Sequence, residues 1–320
     1  MRAFQTLSTD QPPRLGETAP PTPARGEVRL KIGACGLNFA DLLMARGEYQ
    51  DTPAPPFTLG MEVAGTVEAR GPDVPEAMTG RRVAVFGGQG GLAEYGCFPA
   101  DRCVTLPDEM PFTDAAAFQV AYGTSHVALE HKARLQPDET LLVLGAAGGV
   151  GLTAVEIGKL MGARVIACAR GAEKLAVARQ AGADHLIDAE TQDIRALCKG
   201  LGGLDVVYDP VGGDQFKAAM RACNPEARLL AIGFASGEVP QIPANHLLVK
   251  NLSVLGLYWG GYLKFRPEVI RDSLATLFGW YEEGRLKPHI SHVLPLERAA
   301  EGLELLRSRK STGKVVITPG

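Results

Sequence analysis

The chain carries almost no net charge: 33 Lys and Arg stand against 36 Asp and Glu, leaving −3 over 320 residues. A surface so balanced offers no electrostatic footprint for nucleic acid or an anionic membrane, so a small-molecule partner is expected. Long apolar runs are also missing. The most apolar stretch is broken by a glycine turn well short of the roughly 20 residues a membrane-crossing helix needs. The opening residues, MRAFQTLSTDQPP, lack the apolar segment of a secretory signal, and a cytoplasmic location is expected. Six cysteines, at 35, 97, 103, 168, 198 and 223, include no Cys-x-x-Cys pair. They read as reduced, mostly buried thiols, which excludes a disulfide framework and a four-cysteine zinc cage.

What is present is apolar residue, 46% of the chain, enough for a large core divided between two lobes. The most informative stretch is 140–170, TLLVLGAAGGVGLTAVEIGKLMGARVIACAR. Residues 141–144 have the length and composition of a strand buried on both faces. Glycines follow at 145, 148, 149 and 151. Val150, Ala154, Ile157 and Met161 then recur on one face of a helix that Gly162 ends, and 164–169 forms a second apolar strand. This βαβ unit places Ala146, Gly148 and Gly151 in the A-x-G-x-x-G variant of a dinucleotide turn. Glycine is required there because the backbone must touch a pyrophosphate held on the free amides of a helix N-terminus, here Gly148, Gly149, Val150 and Gly151. After the second strand an acid would bind a ribose 2′-hydroxyl, whereas cations receive the 2′-phosphate of NADP. Arg170 and Lys174 are cations, so the cofactor reads as NADPH.

Before this unit the chain has the style of a β-rich lobe. Val28, Leu30, Ile32 and Ala34 alternate with Arg29, Lys31 and Gly33, and 63–68, 82–86 and 94–98 are further strands between Pro- and Gly-rich turns. The loop 35–60 carries Asn38, Asp41 and Tyr49 before a run of prolines. It reads either as a cleft wall or as an ordinary loop in which Asn38 caps the helical turn 39–46. The cluster GGQGG at 87–91 precedes no helical pattern and reads as a wide turn, not a second phosphate loop. After residue 170, strands at 185–188, 204–208, 228–234 and 252–257 alternate with helices. Six strands of this kind describe a doubly wound parallel sheet, with 209–213 and Phe234 facing the ligand. The expected domains are 1–115, completed by 260–320, and 116–259.

Together the β lobe, GAAGGVG at 145–151, YDPVGGDQF at 208–216 and IGFASGEVPQIPANHLLVKNLSVLGLYWG at 232–260 resemble the zinc-independent quinone oxidoreductases of the medium-chain dehydrogenase/reductase superfamily. The resemblance implies a GroES-like catalytic domain, a Rossmann domain, and NADPH meeting an electron-poor substrate. Zinc alcohol dehydrogenases, which look like distant relatives, have Cys where this chain has Asn38, and Gly-His-Glu where it has Gly60, Met61 and Glu62. No metal is therefore expected, and His289 and His292 need none. Without a Lewis acid the substrate must already be electrophilic, a quinone or an alkene conjugated to a carbonyl. The resemblance further implies that Asn38 and Tyr49 line the substrate pocket, Tyr49 as a hydrogen-bond donor to the developing oxyanion, and that Thr124, Gly233 and Phe234 contact the cofactor. Where family members often carry a tyrosine near the 2′-phosphate this chain has Ala189, so the phosphate clamp rests on Arg170 and Lys174. Alkenal, enone or enoyl-thioester double-bond reduction is the alternative activity, and non-catalytic NADPH binding the alternative of another class. The apolar sixth strand, at the sheet edge, predicts a homodimer.

Overall fold

The structure, a computed structural model, describes all 320 residues, and the chain divides into two compact units. One unit joins Met1–Val120 to Pro288–Gly320, and the other is Ala121–Lys287. No helix is long and apolar enough to cross a membrane.

The first unit is antiparallel for the most part, as alternating half-buried strands require. Its seven-stranded sheet runs Ile290–Pro295, Lys314–Thr318, Glu27–Gly36, Glu62–Arg70, Arg82–Phe86, Val104–Thr105, with Tyr95–Pro99 pairing a second stretch of Glu27–Gly36. Val28, Leu30 and Ile32 enter the core through their alternation, and the C-terminal strand closes over them with Val315 and Ile317. Register then fixes a neighbourhood. Gly36 pairs with Glu62 on one side and with Val316 on the other. Counting two residues forward from Gly36 and two back from Val316 keeps the same face of an antiparallel pair, so Asn38 and Lys314 come together beside Glu62. Gly36 itself must be glycine, because a Cβ there would overlap the Ala116 carbonyl oxygen.

The second unit holds six parallel strands in the order His185–Asp188, Arg164–Ala169, Thr140–Leu144, Leu204–Asp209, Cys223–Ala231, Ser253–Gly256. By chain order this is 3-2-1-4-5-6, the doubly wound arrangement with its switch point between the first and fourth strands. The first strand is buried throughout.

Two expectations need correction. The helix Gly149–Leu160 is not a one-faced amphipath: Gly151, Leu152, Thr153, Ala154, Val155, Ile157 and Gly158 are all buried, while Val150 and Met161 are only half-buried. Its second buried face comes from the helix Gln119–His126, since Thr153 Oγ1 donates to the Ala121 carbonyl (3.0 Å) and meets Ser125 Oγ (2.8 Å). The return to the first unit also comes at residue 288, not 260. The helix Pro267–Glu282 stays with the second unit because Ser273 bonds the buried His126 (2.9 Å) and Trp280 stands edge-on to its ring. That packing leaves no signature in the helix's own sequence.

Candidate functional site

In the second unit the strand Thr140–Leu144 runs into a turn and the helix Gly149–Leu160. Gly145 has φ +58°, the left-handed region that glycine enters without steric cost. The turn closes through Gly148 N–H to the Gly145 carbonyl (2.9 Å), and Ala146 N–H reaches the Cys168 carbonyl on the next strand (3.0 Å). The amides of Gly149, Val150 and Gly151 find no carbonyl, as the first turn of a helix dictates. In the GGQGG turn, by contrast, Gly87, Gly88, Gly90 and Gly91 all donate to backbone carbonyls, so no glycine amide is left for a phosphate. A Cβ on Gly151 would overlap the Gly145 carbonyl oxygen. Gly151→Ala should therefore open the turn and weaken dinucleotide binding at least about tenfold, a loss of ~1.4 kcal/mol read by nucleotide fluorescence titration. Unchanged affinity would show that the turn does not hold the dinucleotide.

Arg170 follows the second strand, half-buried, with no ion pair or hydrogen bond from its guanidinium. Gly171 at φ +77° starts the helix Ala172–Gln180, whose first turn contains Lys174. One acid does stand nearby, Asp188 at the end of the third strand. Its carboxylate accepts Glu190 N–H (3.0 Å) and Gly171 N–H (3.3 Å), bonds that hold it below the usual carboxylate range. It is thus engaged with backbone and pins the turn that carries Arg170. Across the switch point, Val211 lies against Gly145, and the buried Asp209 carboxylate accepts Val211 N–H (2.7 Å) and Gly212 N–H (2.9 Å). Gly233 N–H donates to the Asp209 carbonyl (3.3 Å), and Phe234 is 43% exposed beside it. Thr124 is buried in the helix Gln119–His126.

The first unit supplies a cluster that sequence reasoning largely missed. Lys314 Nζ donates to Asn38 Oδ1 (2.8 Å) and Glu62 Oε2 (3.1 Å). Asn38 Nδ2 donates to Glu62 Oε2 (3.2 Å) and the Gly36 carbonyl (3.3 Å), while Glu62 Oε1 accepts Val120 N–H (2.8 Å). Asp41 accepts Asn38 N–H (2.8 Å) and Gly60 N–H (3.2 Å). Glu62, Asp41 and Lys314 are buried, and Asn38 is the member that reaches the surface. Asn38 also caps the helix Phe39–Ala45, as expected, in a capping box with Asp41, whose carboxylate accepts the Asn38 backbone N–H (2.8 Å). Tyr49 is half-buried against the same core, its carbonyl accepting the Thr52 hydroxyl (2.6 Å). The signal available beforehand was a lysine opening the apolar strand Lys-Val-Val-Ile and a glutamate inside Gly-Met-Glu-Val-Ala. Opposite charges embedded in two core strands call for one another.

Burial pushes the Asp41 carboxyl up to about 6, against the opposing pull of its two backbone bonds and Lys314. Because the folded state then holds the proton more tightly, stability contributed at this group is full below pH ~4 and falls as pH rises through 6. Relative to Asp41→Asn, the wild type should lose up to ~3 kcal/mol between pH 4 and 7 in denaturant titrations. A pH-independent difference would show that Asp41 does not titrate in that window.

Zinc does not fit these residues. Asn38 Oδ1 and Glu62 Oε2 already accept from the Lys314 ammonium, and no group of three His, Cys, Asp or Glu converges anywhere. His289 and His292 meet hydroxyls instead, Thr312 and Ser291, each at 2.9 Å. All six cysteines are free thiols.

Two family descriptions match the chain: "Alcohol dehydrogenase GroES-like domain" over residues 24–108 and "Zinc-binding dehydrogenase" over 149–277. Quinone oxidoreductase-like protein 2 of Bos taurus is 40% identical over 321 residues, covering 99% of this chain and 92% of that protein. The Synaptic vesicle membrane protein VAT-1 homolog of Homo sapiens is 33% identical, covering 94% of this chain and 81% of the relative. Among solved structures, the quinone oxidoreductase from Thermus thermophilus, described with its NADPH complex, superposes with TM-score 0.87 at 34% identity, covering 99% of this chain and 100% of that one.

Proposed function

The chain belongs to the medium-chain dehydrogenase/reductase superfamily, among its quinone oxidoreductase-like members, and on that premise we propose that it is a cytoplasmic enzyme passing reducing equivalents from NADPH to quinones without zinc. When bound, NADPH supplies the hydride. The free amides of Gly149, Val150 and Gly151 hold the pyrophosphate at the positive end of their helix, and Gly148 lets the backbone approach it. Arg170, unpartnered in the protein, and Lys174 receive the 2′-phosphate. Thr124, Gly233 and Phe234 border the nicotinamide half.

The observation that carries the choice of substrate is the Lys314–Glu62–Asn38 cluster. Its donor set holds an ammonium where a Lewis acid would need ligands, so an unactivated alcohol or ketone gains nothing there. A quinone is already electrophilic: it takes hydride at a ring carbon and places the charge on an oxygen, which Tyr49 can meet as a hydrogen-bond donor. Stopped-flow oxidation of bound NADPH by 9,10-phenanthrenequinone tests this, with a rapid absorbance loss at the nicotinamide band expected. Oxidation by enones alone would reassign the enzyme as a double-bond reductase, and none by either class would leave a non-catalytic NADPH-binding protein.

The strand Ser253–Gly256 is the outer edge of the parallel sheet. Near it in sequence, Val239, Ile242, Leu248, Val249 and Tyr258 are exposed. Pairing this edge with its copy in a two-fold dimer covers both liabilities. Sedimentation at micromolar concentration should give twice 33.9 kDa, and a monomer there would remove the dimer from the proposal.

A further inference from the structure

We propose that Lys314 is a positioning residue which, with Glu62, fixes the side-chain amide of Asn38 as a hydrogen-bond donor toward the substrate's oxygen. The inference rests on the quinone reading above for the identity of that oxygen, and on geometry for the rest.

An asparagine amide can face either way, and its environment decides which. An ammonium has only donors, so the Asn38 atom 2.8 Å from Lys314 Nζ must be the oxygen. A carboxylate has only acceptors, so the atom 3.2 Å from Glu62 Oε2 must be the nitrogen. The two charges therefore impose the same orientation from opposite sides. A flip would set the Asn38 NH2 against an ammonium and its oxygen against a carboxylate. Glu62 is itself held by the Val120 amide, and Lys314 is anchored in a core strand, so neither can follow a flip.

Asn38 Oδ1 accepts from Lys314 and, in the capping box, from the Asp41 backbone N–H, which fills both its lone pairs, so the polarity left for a ligand is that of a donor. The two bonds made by Asn38 Nδ2 are long, 3.2 and 3.3 Å, and can be shared with an incoming acceptor oxygen. Asp41 and Glu62 are fully buried and Lys314 nearly so, which leaves Asn38 as the outlet of the cluster. The acceptor's oxygen gains negative charge as the hydride arrives, and a donor fixed in advance stabilises that charge without reorganising. The cation of this lobe thus acts one residue removed from the substrate.

The test compares the full chain with Glu62→Gln/Lys314→Met, a pair of near-isosteric changes that removes both charges together and avoids a lone buried ion. Expected results are NADPH affinity within twofold of wild type and hydride transfer to 9,10-phenanthrenequinone at least tenfold slower. Adding Asn38→Ala to the pair should slow the reaction no further than Asn38→Ala alone. A wild-type rate in the pair, or a triple variant slowed by the product of the separate effects, overturns the inference. A second readout is independent of turnover: in asparagine-labelled protein, the two Asn38 side-chain amide protons should exchange slowly with solvent. They should become fast-exchanging in the pair. If wild type reduces no acceptor, the quinone reading fails while this spectrum still decides the positioning role. Identical Asn38 signals in both proteins overturn it.

Discussion

Arg170→Glu is expected to lower kcat/KM for NADPH about a hundredfold while leaving NADH within a few-fold, so that the cofactor preference disappears or inverts. A charge-assisted hydrogen bond contributes ~1.5–3 kcal/mol, and the variant loses one such contact and places an anion beside the 2′-phosphate. The structure makes Arg170 the strong candidate because nothing in the protein competes for its guanidinium, whereas the neighbouring acid, Asp188, is turned to the amides of Gly171 and Glu190. The effect should shrink at high salt, since the half-exposed site is screened. Measuring both cofactors at two ionic strengths checks it. An unchanged NADPH-to-NADH ratio would locate the 2′-phosphate elsewhere.

The glycine turn and the sheet around it were legible because their physics is local. Strand length, glycine spacing and helix start are all written within 140–170, and the strand order follows from the alternation of elements. The β lobe was legible for the same reason, through period-2 alternation in residues 28–34. What escaped was whatever depends on distant pairing. Lys314 lies 276 residues from Asn38, and only the register of the C-terminal strand against Glu27–Gly36 reveals that they touch. The double burial of Gly149–Leu160 escaped similarly, because a helix covered on two sides has no polar stripe to announce its neighbours. Asn38 was read from the sequence as a pocket-lining residue or a helix cap, and what that reading did not contain is that its amide is bonded within the protein to Lys314, Glu62 and Gly36.

Lys314→Met alone is expected to destabilise the first unit by ~3–5 kcal/mol, because it leaves the Glu62 carboxylate buried with no counter-ion. Glu62 is wholly inaccessible, and methionine restores the stem of the lysine but not its charge. Glu62→Gln/Lys314→Met should recover most of that loss, since a neutral pair has no ion to desolvate. The two units must be followed separately, as one transition cannot be assumed for both. Both tryptophans, 259 and 280, belong to the second unit, so their fluorescence is the internal control and should not move. Cys35 belongs to the first unit, is buried beside the cluster, and becomes reactive when that unit opens. Thiol labelling of the Cys35 peptide against urea should therefore shift to lower denaturant in Lys314→Met and return in the pair. If the single variant labels like wild type, the ion pair is not what holds this corner together. If the pair is no more stable than the single variant, the cost lies in lost packing and not in the orphaned carboxylate.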